Sequence, residues 1–300
     1  MKKIFLVILV LSFFSCKENE KKSDKIKVVT TTTMITDLVS IIGGDAIEVN
    51  GLMGAGVDPH LYKASEGDVT KLFEADIIFY NGLHLEGKLV EVFQKMKQKK
   101  QVALANNLPS DKLIGSEYFA SNYDPHVWFD ISFFKSFAEQ VTHTLISEDP
   151  KNKLLFTENS KEFIKKLNEL EDKLTQLINQ LPEEKRILVT AHDAFNYFGA
   201  SFGFQVVGLQ GLSTATEAGV QDVQRLSEFI ITNNVKAIFV ESSVPKKTIE
   251  ALTEAVKSKG YQVEIGGSLY SDALGNKGTL EGTYLGMYEH NVTTIVNALK

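Results

Sequence analysis

The sequence predicts an α/β protein of two lobes, each a mostly parallel sheet covered by helices, joined by one long rigid helix. Three observations carry that expectation. Short β-branched runs alternate with helix-patterned segments both before and after the middle of the chain, as βαβ units require. Between them, Phe163, Leu167, Leu170, Leu174, Leu177 and Leu181 recur in steps of four and three among Glu, Lys and Asn, the pattern of an amphipathic helix. The composition, 43% apolar and 23% charged over 300 residues, suits a packed globular chain and excludes a disordered one.

The chain starts with Met1-Lys2-Lys3, then an uncharged run from Ile4 to Phe14 that is too short to span a bilayer, which needs about 20 apolar residues. A basic start followed by a short apolar run reads as a secretory signal. The lone cysteine, Cys16, follows directly after Ser15, so no intrachain disulfide is expected. This arrangement resembles a bacterial lipoprotein signal. Residues 1–15 are therefore expected to be a signal peptide, and Cys16 the lipidated new N-terminus. Residues 16–26 are nearly all polar or charged and are expected to form a solvated tether.

In the first lobe, 27–150, strands are expected at Lys27–Thr32, Ile47–Leu52, Asp76–Tyr80 and Gln101–Ala105. Helices are expected at Ile35–Ile42, closed by Gly43-Gly44, and at Leu85–Met96. The linking helix falls within 151–183 and is stopped by Pro182. About 25 residues at 1.5 Å each would reach about 38 Å, enough to cross both lobes. In the second lobe, 184–300, strands are expected at Arg186–Thr190, Gln205–Gly208, Lys236–Glu241 and Tyr261–Ile265. Helices are expected at Asp193–Ser201, Asp222–Asn233, Pro245–Lys259 and Thr279–Leu299.

The net charge of -6 excludes a general nucleic-acid binder, which needs a basic excess. Chemistry is expected at the histidines. Asp58-Pro59-His60 and Asp124-Pro125-His126 are the same tripeptide, and His192 directly follows a predicted strand. The three are evenly spaced, far too widely for one helix face or a zinc finger, and suit three loops meeting in one cleft. Open α/β sheets bind ligands outside the carboxyl ends of their strands, where His192 and Asp272 both fall. Pro59 and Pro125 fix the backbone before each His, and Asp58 and Asp124 are placed to orient the imidazoles from behind. Three imidazoles and a carboxylate suit Zn²⁺, and also Mn²⁺ or Fe²⁺ with expanded coordination. His143 and His290 lie in predicted helices and are read as structural, while His84 follows a strand without further support.

Two enzyme motifs nearly match. Gly82 to Lys88 has P-loop spacing, but Leu89 replaces the hydroxyl that would hold magnesium. Gly199-Ala200-Ser201-Phe202-Gly203 matches G-x-S-x-G, but Ser201 falls at a helix end before a strand, whereas a nucleophile elbow needs the strand first.

Taken together, Asp58-Pro59-His60, Asn81 to Glu86, Asp124 to Asp130, Thr190 to Phe195, Gly211 to Thr214 with Glu217, Glu241-Ser242-Ser243 and Gly266 to Gly275 are specific. Through them nearly all of the mature chain resembles the lipid-anchored solute-binding receptors of bacterial zinc and manganese ABC importers, close to the TroA-like branch. The resemblance implies two α/β lobes, a rigid connecting helix and a metal site between the lobes, with His60, His126, His192 and Asp272 as ligands and Glu217 in support. It implies capture of Zn²⁺ or Mn²⁺, with Fe²⁺ admitted, and delivery to a membrane permease and its ATPase, with no chemical step. His192 tilts the expectation toward zinc. The expected protein is a monomer, extracytoplasmic and lipid-anchored. Two other readings stay open: a metal-dependent hydrolase, with Glu217 as general base, and a surface adhesin on the same fold.

Overall fold

The computed structural model describes residues 25–117 and 119–300. The expected signal segment 1–15, Cys16 and the tether up to residue 24 lie outside the described residues. The first half runs β1 (Ile26–Thr30), α1 (Thr33–Gly43), β2 (Ile47–Gly51), α2 (Glu66–Glu74), β3 (Ile77–Tyr80), α3 (Val90–Lys95) and β4 (Lys100–Ala103). Its strands form one parallel sheet in the order β2-β1-β3-β4. Both faces are covered, because successive strand residues point to opposite sides. Val28, Ile77 and Phe79 join the main core, while Val29 and Ile78 pack with Leu72, Phe93 and Met96 on the other face.

Next come α4 (Ile131–Glu148) and α5 (Lys153–Ile178). The Asp130 side chain caps α4 by accepting from Ser132 N and Phe133 N. The predicted long helix is α5, 26 residues or about 39 Å. Phe156, Phe163, Leu167, Leu170, Leu174 and Ile178 form its buried stripe. That stripe packs on α1 and α4 of the first half and on α9 of the second. The helix ends at Ile178, and Leu181 enters the core from the turn before Pro182.

The second half runs β5 (Ile187–His192), α6 (Asn196–Phe202), β6 (Gln205–Gln210), α7 (Val220–Thr232), β7 (Ala237–Glu241), α8 (Lys247–Ser258), β8 (Glu264–Leu269) and α9 (Tyr284–Leu299). Its strands pair in parallel as β5-β6 and β7-β8, with β5 lying beside β7. Among the described residues, no helix is long and apolar enough to cross a membrane.

Several boundaries differ from expectation for local reasons. The helix expected from Leu85 starts only at Val90, because Gly82, Leu83 and His84 all take left-handed φ values of 87°, 48° and 64°. The strand expected at Tyr261–Ile265 lies at Glu264–Leu269. A register shift opposite Ile238/Phe239 is absorbed by Gly266 and Gly267, and a Cβ at Gly266 would stand 2.8 Å from the Phe239 ring. The helix expected from Asp193 starts at Asn196, and β1 begins at Ile26 inside the expected tether. The helix α2 was not anticipated, although its capping box, Ser65 with Asp68, is visible in the sequence.

The two halves are joined by buried hydrogen bonds that converge on residues 124–129. Tyr197 Oη donates to Asp124 O (3.1 Å) and accepts from Ile114 N. Trp128 Nε1 donates to Ser271 O at 3.1 Å, and Tyr284 and Tyr288 donate to Trp128 O and Phe129 O, each at 2.6 Å. Leu274 N donates to Thr33 Oγ1 at 2.7 Å. Breaking any of these would strand a buried polar group, so the bonds hold the segment bearing His126 against the loop bearing Asp272.

Candidate metal centre

His60 lies on the loop after β2, His126 on the segment before α4, His192 at the last position of β5, and Asp272 on the loop after β8. The repeated Asp-Pro-His is one local device used twice. Asp58 Oδ1 accepts the His60 amide at 2.8 Å, and Asp124 Oδ1 accepts the His126 amide at 2.9 Å. The intervening proline fixes φ, so each histidine leaves its turn in a set direction.

One donor atom from each of His60, His126, His192 and Asp272 lies within 4.8 Å of all the others. His60 Nε2 is 3.3 Å from His126 Nε2 and 3.8 Å from Asp272 Oδ2. Asp272 Oδ1 is 3.6 Å from His126 Nε2, and Asp272 Oδ2 is 3.2 Å from His192 Nε2. All four residues are buried, His60 being the most accessible at 4%. Among the described residues, His192 Nε2 and both Asp272 oxygens lack a hydrogen-bond partner. Buried polar atoms without partners are costly. Here they face one point, as an enclosed cation requires.

Carboxylates stand behind two of the rings. Asp124 Oδ1 is 2.7 Å from His126 Nδ1, which turns His126 Nε2 toward the centre, and Asn196 Nδ2 donates to Asp124 Oδ2 at 3.0 Å. Asp58, having taken the His60 amide, accepts Thr214 Oγ1 from the second half through its other oxygen. Glu241 serves His192: Oε2 is 2.6 Å from Nδ1, and Oε1 accepts the His192 amide at 2.8 Å.

This corrects the expectation for Glu217. Its side chain is exposed and lines a separate cleft of about 600 Å³ beside Asp193 and Arg225. Glu241 takes the supporting place because β7 lies beside β5, which sets its last residue against the last residue of β5. A carboxylate closing the buried run Ala237–Glu241 was the signal available in the sequence. His143 is exposed on α4, and His290 on α9 contacts Ser268 O, so both stand outside the cluster. Ser201 lies within α6, ahead of β6.

The electrostatics split the imidazoles. Burial pulls His60 down to about 3, with Asp272 only partly opposing it. For His192, burial acts downward, but Asp272 and Glu241 outweigh it and hold the ring well above its usual 6.5. For Asp272, burial acts upward, but His192 foremost, then His126 and His60, hold its carboxyl well below the ordinary 3.8. In the metal-free centre the two carboxylates thus favour the protonated form of His192, while burial favours the neutral form of His60.

Exchanging Glu241 for Gln keeps the size of the side chain but removes the charge behind His192. Glu241→Gln is expected to weaken metal binding about 10- to 100-fold. Glu217→Gln, at an exposed side chain outside the donor cluster, should leave affinity unchanged in the same chelator-competition titration.

Two α/β lobes on a rigid helix, closing over a buried cluster of cation-binding donors at the carboxyl ends of parallel strands, define a solute-binding receptor for a small cation. The chain belongs to the family described as zinc-uptake complex component A, periplasmic, whose model matches residues 28–298. It is 48% identical over 282 residues to the manganese-binding lipoprotein MntA of Bacillus subtilis (strain 168), covering 93% of this chain and 92% of that one. The solved structure of the periplasmic zinc-binding protein TroA from Treponema pallidum superposes with a TM-score of 0.89 at 46% identity, covering 92% of this chain and 99% of that one. The iron ABC transporter substrate-binding lipoprotein MtsA of Streptococcus pyogenes serotype M1 is 30% identical over 300 residues, covering 98% of this chain and 95% of that one.

Proposed function

We propose that this chain captures a divalent transition metal outside the cytoplasm and delivers it to the membrane permease of an ABC importer. The ligands are His60, His126, His192 and Asp272. The observation that carries the reading is the convergence of four buried donors from four separate segments, with both Asp272 oxygens unpartnered. One carboxylate oxygen with three imidazoles makes a tetrahedral set for Zn²⁺, and the second oxygen allows the expanded coordination of Mn²⁺ or Fe²⁺. The reading needs no chemical step. A catalytic zinc keeps an open position for water, whereas here four protein donors would enclose the ion and Glu217 is exposed and outside the donor cluster. The protein acts as a monomer held at the membrane by lipid on Cys16, and its permease couples to an ATPase.

Thermal unfolding of the chelated chain from Lys17 onward, titrated with Zn²⁺ and Mn²⁺, tests the reading. A metal at one hundred times its Kd adds about 2.7 kcal/mol when only the native state binds it. The shift should vanish in the double variant His60→Ala, His192→Ala. Absence of a shift with either metal in folded wild-type protein would remove the assignment. By the Irving–Williams order, Zn²⁺ should bind more tightly than Mn²⁺.

A further inference from the structure

A cavity of about 140 Å³ touches the centre on one side only, at His60, and its lining includes His84, Phe119, Lys88 and Ser213. His60 is also the most accessible of the four donor residues, at 4% against 0% for His126 and His192. The Phe119 ring makes edge contacts with two imidazoles, its centroid 6.5 Å from His60 and 6.3 Å from His84. His84 is exposed and lines the same cavity as buried His60.

The chain holds His84 there against its conformational preference. Gly82, Leu83 and His84 are three successive left-handed residues, two of them not glycine. Buried Glu86 fixes them by accepting Asn81 N (2.8 Å) and Gly82 N (3.2 Å), while Asn106 Oδ1 accepts Leu83 N at 3.1 Å. Gly87 lets the ring lie close, since a Cβ there would be 3.2 Å from His84 Nε2. Among the described residues, neither nitrogen of His84 is in a hydrogen bond. Among the described residues, Lys88 is the one Lys, Arg, Asp or Glu of the lining, and it repels a cation. Capture at this mouth therefore depends on a lone-pair donor, which His84 supplies.

We propose that His84 is an entry ligand. It binds the incoming divalent transition metal transiently, displaces part of its water shell, and passes it beside the Phe119 ring to His60. This rests on the metal-receptor reading above. His84 is absent from the final ligand set, so it acts on rates and leaves equilibrium affinity alone.

Stopped-flow binding and chelator-driven release of Zn²⁺ test this in full-length wild type and His84→Asn, a residue that tolerates the left-handed backbone. Association and dissociation should both slow by about ten-fold with Kd unchanged. Phe119→Ala should speed both. Unchanged rates in His84→Asn would overturn the proposal. So would a weakened Kd with faster release, because His84 would then be a permanent ligand. Wild-type protein that fails to bind metal at all would instead defeat the receptor reading.

Discussion

Asp272→Asn lowers metal affinity by more than about 100-fold, beyond the 10- to 100-fold expected for partners standing behind a ligand. The amide keeps the shape of the side chain but loses the one carboxylate that, among the described residues, lies against the other three donors. A dication would then sit in a buried site with no compensating charge from its own ligands, where desolvation is expensive. The amide NH₂ group would also aim donors at the cation. Competition against a fluorescent chelator measures the loss, and a fall of less than ten-fold would show that Asp272 is not a ligand.

Metal affinity falls as pH is lowered through the neutral range, by up to about ten-fold per pH unit for one displaced proton, because Asp272 and Glu241 favour a proton on His192 that the ion must displace. The sign follows from the shifts. His192 in the folded, metal-free protein is held well above 6.5 because Asp272 and Glu241 outweigh its burial, so the protonated ring competes with the ion more strongly than an ordinary imidazole would. His60 is lowered to about 3 and has no proton to lose there. Three ordinary histidines would instead give a flat profile above about 6.5 and a steep one below it. Calorimetry in buffers of different ionisation enthalpy reads the released proton directly, and no release at pH 7 would refute the assignment to His192.

The same shifts set the stability of the metal-free chain. Stabilisation from protonated His192 is present below 6.5 and is lost as pH rises through its raised value. The contribution of Asp272 is present above 3.8 and is lost as pH falls through its lowered value. Neutral, buried His60 favours the folded state above 6.5 and loses that advantage as pH falls toward 3. Asp272→Asn removes the partner that most raises His192, so its affinity profile should also flatten near neutrality.

The alternation of apolar strands with amphipathic helices reports burial on one or two faces, and that patterning is local. It placed the two α/β halves and the long α5 helix correctly, because Phe163, Leu167, Leu170 and Leu174 must share one buried stripe wherever the helix docks. It also brought forward His60, His126, His192 and Asp272. The repeated Asp-Pro-His turns are local devices, and loops after parallel strands gather at one edge of a sheet. The tertiary structure alone decided which carboxylate supports His192. Glu241 lies 49 residues along the chain and reaches the ring only because β7 settles beside β5, while Glu217, nearer in sequence, ends in solvent. It also decided the cross-lobe bonds of Trp128, Tyr197, Tyr284 and Tyr288, and the close approach of the Asp272 and Glu241 carboxylates to the two nitrogens of His192. Side-chain periodicity depends on the residue and its immediate neighbours. Pairing across the lobes and the resulting charge coupling depend on distances set only once both halves are packed against α5.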